Sequence, residues 1–551
     1  MIKIDRTELF EDLIQFSNGG SGLVVGNPEV GKSYLLTRLK EHYLNNNVVC
    51  FLISIDNLSE ASDLAIQEEL GFPEPWIETF KQIAVAENQK ALLIFDTFDA
   101  ARNEDFRKSI LSQIRKAKKE LASKWNILVS ARTYDAQKSQ QLIQLFPYTE
   151  DHVDFVNCRK CTIPVLTDDE VKGSFAGDKK FENFYADATP SIKEVLRNPF
   201  FLKLADLILH EAKEAEVEEL KQLKSETQLL QRYWDLKIKG TTAAAGVELI
   251  LIRLTDILVK KRALSIAKKN LLPVVGSLDS PEYTYLHREA ILDEVSVGGS
   301  RIAFRHNILF DYAVSVLYLT ADVDEVIKFI QEDSSRPFFL RPSFIYFFTQ
   351  LWYEEPALFW KFYWKFNAQQ DRVFQLFVRL ILTGVIASEF TQIEDLQPVM
   401  SVVTSTRKEV IRNILQSLRF IRRSTTRQDV QLLLFLSTSL DTLFLWEFGF
   451  LLDRAVKDEK IMAADSEPCG ETARNFLHYI LQLADSPHKV AVDRLGAARG
   501  VELVSLTYAT NLTASRALLR SLFPLLNTSN FEIGYFTNLA QYAKYILPYD
   551  P

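Results

Sequence analysis

The chain has 551 residues, more than a single hydrophobic core organises, and its 47% apolar and 25% charged residues are typical of folded globular proteins. Its formal net charge of −8 argues against binding nucleic acid through the charge of the whole molecule. Four cysteines are too few for a disulfide-dense secreted scaffold, and no apolar run reaches the ~20 residues of a membrane-spanning helix. We therefore expect a soluble, cytoplasmic protein.

The first 166 residues alternate between short β-rich runs and longer helix-like stretches. Apolar strands separated by helices are typical of a doubly wound α/β fold with a parallel sheet. The expected strands are 22–25, 48–54, 91–95 and 127–130, and the expected helices are 33–44, 59–69, 76–86 and 105–123. We assign residues 1–166 to one α/β domain.

The rest of the chain is predicted to be mainly helical. Residues 167–240 indicate a helical lid domain, in which Pro190 breaks the helices. Residues 241–321 indicate a small winged-helix domain, because two short strands flank a Gly-Gly turn at 298–299. From 322 to 551 only helices are expected, separated by short polar or proline breaks, which favours an all-α solenoid of repeats.

A glycine-containing loop follows the first predicted strand and opens the first long helix. Glycines let such a P-loop wrap phosphates closely, and the helix N-terminus adds positive potential. Lys32 is expected to reach the β- and γ-phosphates, and Ser33 to hold Mg²⁺. The predicted nucleotide-binding residues of this segment are Gly26, Asn27, Pro28, Glu29, Val30, Gly31, Lys32, Ser33 and Tyr34.

Polar side chains end two further apolar runs, and parallel strands bring such ends to the sheet edge where ligands bind. Asp96 ends the first run and is predicted to be the magnesium-side acid. Asp99 could orient or polarise an attacking water molecule. Arg132 ends the second run and could contact the γ-phosphate, because a guanidinium matches phosphate oxygens. The alternative for all three is an ordinary residue at the end of a strand.

These three segments, GNPEVGKS, LLIFDTFD and ILVSART, resemble the STAND class of signalling NTPases, which includes the NACHT and NB-ARC proteins. Two later segments extend the resemblance over residues 15–320. The segment RNPFFLKL looks like the helix whose proline lies against the nucleotide base, which implies that role for Pro199. The segment FRHNILFDY resembles the winged-helix segment whose histidine senses the diphosphate, which implies that role for His306. Otherwise Pro199 simply starts a helix, and His306 is a core histidine.

The resemblance implies a switch that binds ATP or ADP with Mg²⁺. ADP would bridge the P-loop domain and the winged helix, whereas an unknown protein ligand on the repeats would favour an open, ATP-bound homo-oligomer. Immune or antiphage defence is one setting in which such switches work. Glu29 and Val30 stand where many relatives have small residues, and Ala100 stands where the pattern Asp-x-x-Asp-Glu has its glutamate. These departures predict slow hydrolysis of ATP to ADP and phosphate.

Other interpretations remain at this stage. The chain could be an AAA-like motor or remodeller that turns over continuously, or a scaffold that binds nucleotide only to fold. No Asn/Thr-Lys-x-Asp motif for guanine is present, although this does not decide between ATP and GTP. Arg412, Arg419 and Arg423 fall near one face of a predicted helix. A solvated face is the simpler explanation, and docking of an acidic protein or of nucleic acid is less favoured.

Overall fold

A computed structural model describes residues 4–58, 60–87, 89–102, 104–147, 158–212, 214–275, 280–295, 299–402, 404–420, 425–484, 497–522 and 541–550. The chain divides into two compact units, unit 1 (Met1–Gln350) and unit 2 (Leu351–Pro551). Within the described ranges, every helix is too short or too polar to cross a membrane.

Unit 1 begins with a five-stranded sheet in the order β2-β3-β4-β1-β5, and neighbouring strands pair in parallel. The strands are β1 (Gly22–Gly26), β2 (Cys50–Ser54), β3 (Ala91–Asp96), β4 (Trp125–Arg132) and β5 (Lys160–Thr162). Because β4 lies between β1 and β3, the carboxyl ends of these three strands meet at one edge of the sheet. Gly26 lies opposite Arg132 there, and Ser54 of β2 lies opposite Asp96.

Helices cover both faces of this sheet, which explains why its central strands are apolar throughout. Leu23 and Val25 face one hydrophobic core, whereas Val24 faces the other, as the twofold period of a strand requires. The helices of this region are α1 (Thr7–Asn18), α2 (Lys32–Asn45), α3 (Asp63–Leu70), α4 (Trp76–Gln82), α5 (Glu104–Leu121), α6 (Thr133–Lys138) and α7 (Gln140–Gln144). α1 and α2 contribute to the core around Val24, and α3, α4 and α5 to the other core.

Six helices follow the sheet. They are α8 (Asp168–Ser174), α9 (Lys179–Asp187), α10 (Pro190–Leu196), α11 (Pro199–Glu211), α12 (Glu214–Lys221) and α13 (Glu226–Trp234). The apolar pattern predicts one helix over 191–210, but the structure has two, α10 and α11, because Asn198 is extended (φ −88°, ψ 124°) in front of Pro199. The Asn198 side chain then caps α11 by accepting the Phe200 N–H.

A three-stranded antiparallel sheet in the order β6-β8-β7 lies further along unit 1. Its strands are β6 (Ser265–Ala267), β7 (Leu292–Val295) and β8 (Arg301–Phe304), with helices α14 (Ala244–Lys261), α15 (Lys268–Val275), α16 (Pro281–Arg288) and α17 (Asn307–Leu317). β7 and β8 flank the predicted Gly-Gly turn. Gly299 has a φ of 60°, which suits glycine, and Gly298 lies outside the described residues. The sequence did not predict β6.

The last helices of unit 1 are α18 (Val323–Glu332), α19 (Arg336–Phe339) and α20 (Arg341–Glu354), and the division between the units falls within α20. The predicted boundary at 321 therefore lies inside unit 1. The predicted boundaries at 166 and 240 are finer than this division and stay predictions.

Unit 2 is helical throughout its described residues. Its helices are α21 (Pro356–Asn367), α22 (Arg372–Phe377), α23 (Thr383–Glu389), α24 (Gln397–Met400), α25 (Thr404–Phe420), α26 (Arg427–Ser437), α27 (Leu445–Val456), α28 (Glu459–Ala484), α29 (Ala497–Leu506) and α30 (Leu512–Arg520). α25 packs against α23 and α27, and α28 packs against α26, α27 and α29.

Two of the basic residues that the sequence singled out in unit 2 have contacts within the unit. Arg412 lies 3.8 Å from the Glu447 carboxylate, and the Arg419 guanidinium lies 4.6 Å from the centre of the Phe450 ring. Arg423 lies outside the described residues. The choice between a solvated face and a docking surface stays a prediction.

Candidate functional site

The predicted phosphate loop connects β1 to α2 at the carboxyl edge of the parallel sheet. Gly31 has a φ of 93°, and a Cβ added to it would meet no atom within 4 Å, so the loop faces open space at this point. A Cβ on Gly26, in contrast, would come within 2.6 Å of the Ile163 carbonyl oxygen. Glu29 adopts a φ of 55°, which is uncommon for a residue with a side chain. The loop thus has the tight curvature that phosphate binding requires.

Lys32 points back into this loop. Its ammonium group donates hydrogen bonds to the carbonyl oxygens of Gly26, at 3.0 Å, and Asn27, at 2.8 Å. Burial lowers the pKa of Lys32, although the nearby carboxylates of Asp99 and Asp96 oppose that shift. The first turn of α2 therefore presents a desolvated cation beside the open side of the loop, where an anion is favoured.

Asp96 ends β3 and is buried at 2% exposure. Burial raises its pKa, while donors from the Ser130 and Ser33 hydroxyls and the Thr97 N–H stabilise its charged form. Mg²⁺ prefers oxygen ligands and is commonly held by one or two carboxylates together with phosphate oxygens. A buried carboxylate bonded to the first serine of α2 fits such an ion, because a cation would offset the cost of burying its charge. Asp96 and Ser33 are therefore the residues that would hold Mg²⁺.

Asp99 and Arg132 bind each other. The Arg132 Nε lies 2.6 Å from Asp99 Oδ2, with 17% and 8% of the two side chains exposed. Burial acts to raise the pKa of Asp99, but the cations Arg132, Lys32 and Arg102 outweigh it and leave this pKa below its usual range. A carboxylate held by a guanidinium is a weak proton acceptor, so this pairing argues against the predicted action of Asp99 on water. Arg132 nevertheless ends β4 and lies opposite Gly26 in the paired strands.

Two residues from distant parts of unit 1 reach the phosphate loop. The Asn198 side chain donates to the Pro28 carbonyl at 2.9 Å, which brings the start of α11 and Pro199 against the loop. His306, immediately before α17, lies with Nδ1 3.3 Å from Glu29 Oε2. The His306 ring also contacts the Phe200 ring edge-on, with centroids 4.9 Å apart. The structure thus brings Glu29, Pro199 and His306 to the border of one cavity, and their roles toward nucleotide stay predictions.

Arg6 was not predicted from the sequence, and it connects the segment before α1 to the same loop. Its guanidinium donates to the carbonyls of Val30 (3.3 Å) and Pro164 (2.9 Å), and its Nε lies 3.1 Å from Glu170. Arg6 is 8% exposed. No local pattern marks this arginine, because its partners are 24 to 164 residues away in the chain.

Asp56 is a second residue that the sequence interpretation missed. It follows β2 beside the edge that carries Asp96, and its N–H donates to the Thr97 hydroxyl at 3.4 Å. Burial, and then the negative charge of Asp96, raise the pKa of Asp56 to about 7. An acid directly after an apolar strand was the available signal, and the same signal identified Asp96.

Most of these groups line one cavity of about 1190 Å³, whereas Gly26, Asn27 and Asn198 do not border it. This volume exceeds the ~300–1,000 Å³ typical of small-molecule sites and accommodates a nucleoside triphosphate. Tyr34, on α2, borders the cavity and is 66% exposed, with the Lys203 ammonium 6.0 Å from its ring centre. The site residues that line the cavity include Arg6, Pro28, Glu29, Val30, Gly31, Lys32, Ser33, Tyr34, Asp56, Asp96, Asp99, Arg132, Pro199 and His306.

Comparison with known proteins adds little to this geometry. No protein-family model matches the chain, and no curated protein matches it. Among solved structures, a Walker-type ATPase of Pyrococcus abyssi is similar to 56% of this chain over 96% of its own length, with 14% sequence identity and a TM-score of 0.28. At that TM-score the similarity carries no argument. The sheet order, the loop between β1 and α2, and Asp96 at the end of β3 are the features that give unit 1 a P-loop NTPase fold.

Proposed function

We propose that unit 1 is a nucleotide-controlled switch of the STAND type, similar to NACHT proteins, in which ATP or ADP lies between the P-loop and the helical segments that follow it. The observation that carries the proposal is that His306 contacts Glu29 of the P-loop, 277 residues earlier in the chain. An NTPase domain that only turned over nucleotide would have no need of this contact. A switch needs it, because nucleotide can then determine whether α17 stays attached.

In the proposed complex, the loop amides and Lys32 bind the β- and γ-phosphates, and Pro199 lies against the base. Ser33 and Asp96 hold Mg²⁺, which when bound neutralises phosphate charge. His306 lies 3.3 Å from Glu29 and borders the cavity, so a diphosphate could replace Glu29 as its partner. Arg132 lies at the strand end opposite Gly26 and would detect the γ-phosphate.

Hydrolysis is proposed to be slow. Ala100 follows Asp99, so the chain lacks the glutamate of the family pattern Asp-x-x-Asp-Glu that could activate water. Asp99 itself is bound by Arg132. Asp56 follows β2, which is separated from β4 by β3 and from β1 by both β3 and β4, so this acid lies away from the strand that leads into the P-loop. Retaining nucleotide is therefore a better description of this site than rapid turnover.

The parts of the proposal that concern the winged helix, unit 2 and assembly rest on the family resemblance. The β6-β8-β7 sheet with α14–α17 would be the winged helix, and unit 2 would be the repeat array that senses a protein ligand. Sensing would favour an open, ATP-bound form that assembles into a homo-oligomer, with immune or antiphage defence as one setting. The stacked helices of unit 2 support a repeat array, because α25, α27 and α28 each pack on neighbours on both sides.

The proposal is tested by titrating the purified full-length chain with fluorescent ATP, ADP and GTP analogues and then measuring steady-state phosphate release. We expect ADP and ATP to bind in the presence of Mg²⁺, with turnover below the typical range of about 1–1000 per second. Steady rapid turnover would favour an AAA-like motor instead. Tight binding without any change in hydrodynamic size or protease sensitivity between ADP and ATP would favour a scaffold.

The matched variants are Lys32→Ala and Lys119→Ala. Lys119 is an exposed lysine on α5 outside the residues that line the cavity, so its replacement removes the same charge at a neutral place. Loss of binding in both variants, or in neither, would contradict the assignment of the site to the P-loop.

A further inference from the structure

Three side chains of types that bind metal ions lie together on the helices that follow the parallel sheet. Asp206 and His210 are four residues apart on α11, so they share one face of that helix. Asp178 is the residue just before α9, and α9 packs against α11. Each of the three side chains offers one ligand atom, and these atoms lie within 4.8 Å of one another. The three residues do not border the nucleotide cavity, so they form a separate group.

The backbone of α11 fixes the orientation of the histidine ring. His210 Nδ1 lies 2.8 Å from the carbonyl oxygen of Asp206. Because a carbonyl oxygen can only accept a hydrogen bond, Nδ1 carries a proton and donates it. The Asp206 carboxylate lies on the same side of the ring, with Oδ1 3.1 Å from Nδ1. In the neutral ring, the lone pair is therefore on the other nitrogen, Nε2.

The third side chain, Asp178, is held in place because it caps α9. Its Oδ1 accepts the backbone N–H groups of Lys180 and Phe181, at 3.0 and 3.1 Å. Its other oxygen, Oδ2, lies 3.5 Å from His210 Nε2. Two ligand atoms of a tetrahedral Zn²⁺ ion, each at ~2.0–2.2 Å from the metal, are roughly 3.3–3.6 Å apart. The two atoms thus have the spacing of a ligand pair, and a cation between them would remove the repulsion between a lone pair and a carboxylate.

We propose that Asp178 and His210 bind a divalent transition-metal ion of the Zn²⁺ class, and that Asp206 positions the histidine. Ligating histidines typically donate their other ring N–H to a carbonyl or carboxylate oxygen, as Nδ1 does here. A nitrogen ligand favours Zn²⁺ over Mg²⁺ and Ca²⁺, which prefer oxygen ligands. Since 53% of the His210 side chain is exposed, the ion enters from solvent and keeps water as its remaining ligands. Bound metal joins α9 to α11, whether or not nucleotide is present.

The site is tested by titrating Zn²⁺ into the chelator-treated full-length chain in excess Mg²⁺, which occupies sites made only of oxygen ligands. Calorimetry measures binding, and thermal unfolding measures stability. We expect the wild type to bind one more equivalent of Zn²⁺ than His210→Ala does. Its melting temperature should rise with Zn²⁺ concentration, because a ligand of the folded state stabilises that state. A wild type that neither binds Zn²⁺ nor gains stability from it would overturn the inference and leave His210 as an ordinary ionic partner of two acids.

Further variants separate metal binding from a structural role. Asp178→Asn keeps the helix cap, because asparagine caps helices as well as aspartate does, but it should lose the same equivalent of Zn²⁺. Asp206→Asn should weaken Zn²⁺ binding by about 10- to 100-fold, as loss of an orienting partner typically does.

The matched control is His478→Ala, which replaces another exposed histidine, on α28 beside Gln482, and should bind Zn²⁺ as the wild type does. Wild-type binding in either His210→Ala or Asp178→Asn, or an equal loss in His478→Ala, would overturn the assignment of the site. The Zn²⁺ titration needs no nucleotide, so the proposed function and the metal site can each fail alone.

Discussion

The two units bury charged side chains in different ways. In unit 1, Lys32 and Asp96 are buried at the carboxyl edge of the parallel sheet, and Asp311 of α17 pairs with Arg102 beside that edge. In unit 2 the buried acids have separate partners: Asp429 caps its own helix α26, Glu447 accepts from Gln416, and Asp465 pairs with Arg427. Because a buried charge costs free energy, several such charges gathered beside one cavity indicate a functional site, whereas separate caps and pairs are typical of structural roles. The gathered charges of unit 1 therefore mark the candidate site.

The largest expected difference concerns the two kinds of ion pair. Arg102→Ala leaves Asp311 buried and unpaired, so we expect the free energy of unfolding of unit 1 to fall by ~3–5 kcal/mol. Lys408→Ala removes the lysine from a pair of unit 2 in which both side chains, Lys408 and Asp441, are partly exposed, so we expect a loss below ~1 kcal/mol. Chemical unfolding, analysed with the measured slope, checks both values. Equal losses in the free energy of unfolding for the two variants would mean that the two units do not differ in this respect.

The next effect concerns the phosphate site. Lys32→Ala removes a charged donor from the loop, so the dissociation constant for ATP should rise by roughly 10- to 100-fold, corresponding to the ~1.5–3 kcal/mol of a hydrogen bond to a charged group. Fluorescence titration of wild type and Lys119→Ala in the same buffer gives the comparison. A shift of less than about twofold would mean that the loop is not the phosphate site.

The stability of unit 1 should also depend on pH, because of Asp56. The pKa of Asp56 is about 7 in the folded protein against 3.8 ordinarily, so between these values the folded state binds more protons than the unfolded state. Stability should therefore fall as pH rises from about 4 to about 7. Asp56→Asn lacks this loss and should be ~1–3 kcal/mol more stable than wild type at pH 7.5, with no advantage below pH 4.

The control for that measurement is Asp324→Asn, which replaces an exposed acid. Melting temperatures are recorded without nucleotide or Mg²⁺. A constant difference between Asp56→Asn and wild type at all pH values would indicate a packing effect and not a titration.

The smallest effect concerns the contact between α17 and the loop. Glu29 and His306 are 23% and 39% exposed, so their pair contributes only ~0.2–1 kcal/mol. We expect His306→Ala to speed ADP release by up to about fivefold. His210→Ala, on α11 and 53% exposed beside two acids, is the matched control and should not change the release rate. An unchanged ADP release rate in His306→Ala would mean that His306, and with it α17, does not help to retain the nucleotide.

Local patterns were enough to predict the framework of the site. β1, β3 and β4 are apolar runs with a polar residue at or just after the end, and the loop before Lys32 has a recognised spacing. β5 was missed because it has three residues and gains its identity only by pairing with β1. The split at Asn198 was missed because the helical pattern continues through Pro199.

The connections between elements could not be read from the sequence. Arg102 and Asp311 are 209 residues apart, and nothing near either residue indicates the other. The partnership of Asp99 with Arg132 also depends on the order of strands, which places β4 beside β3. Asp99 was predicted to act on water because nothing near it in the chain indicates Arg132. Its pairing with Arg132 argues against that role.

We infer that unit 1 holds nucleotide tightly and hydrolyses it slowly. The most direct measurement is the nucleotide released when the purified full-length chain is denatured, separated by chromatography and counted against protein. We predict roughly one ADP per wild-type or Lys119→Ala chain, and a strongly reduced amount for Lys32→Ala, since the lysine contributes a charge-assisted contact. Wild-type protein that carries no nucleotide, or as much in Lys32→Ala as in the wild type, would contradict the account.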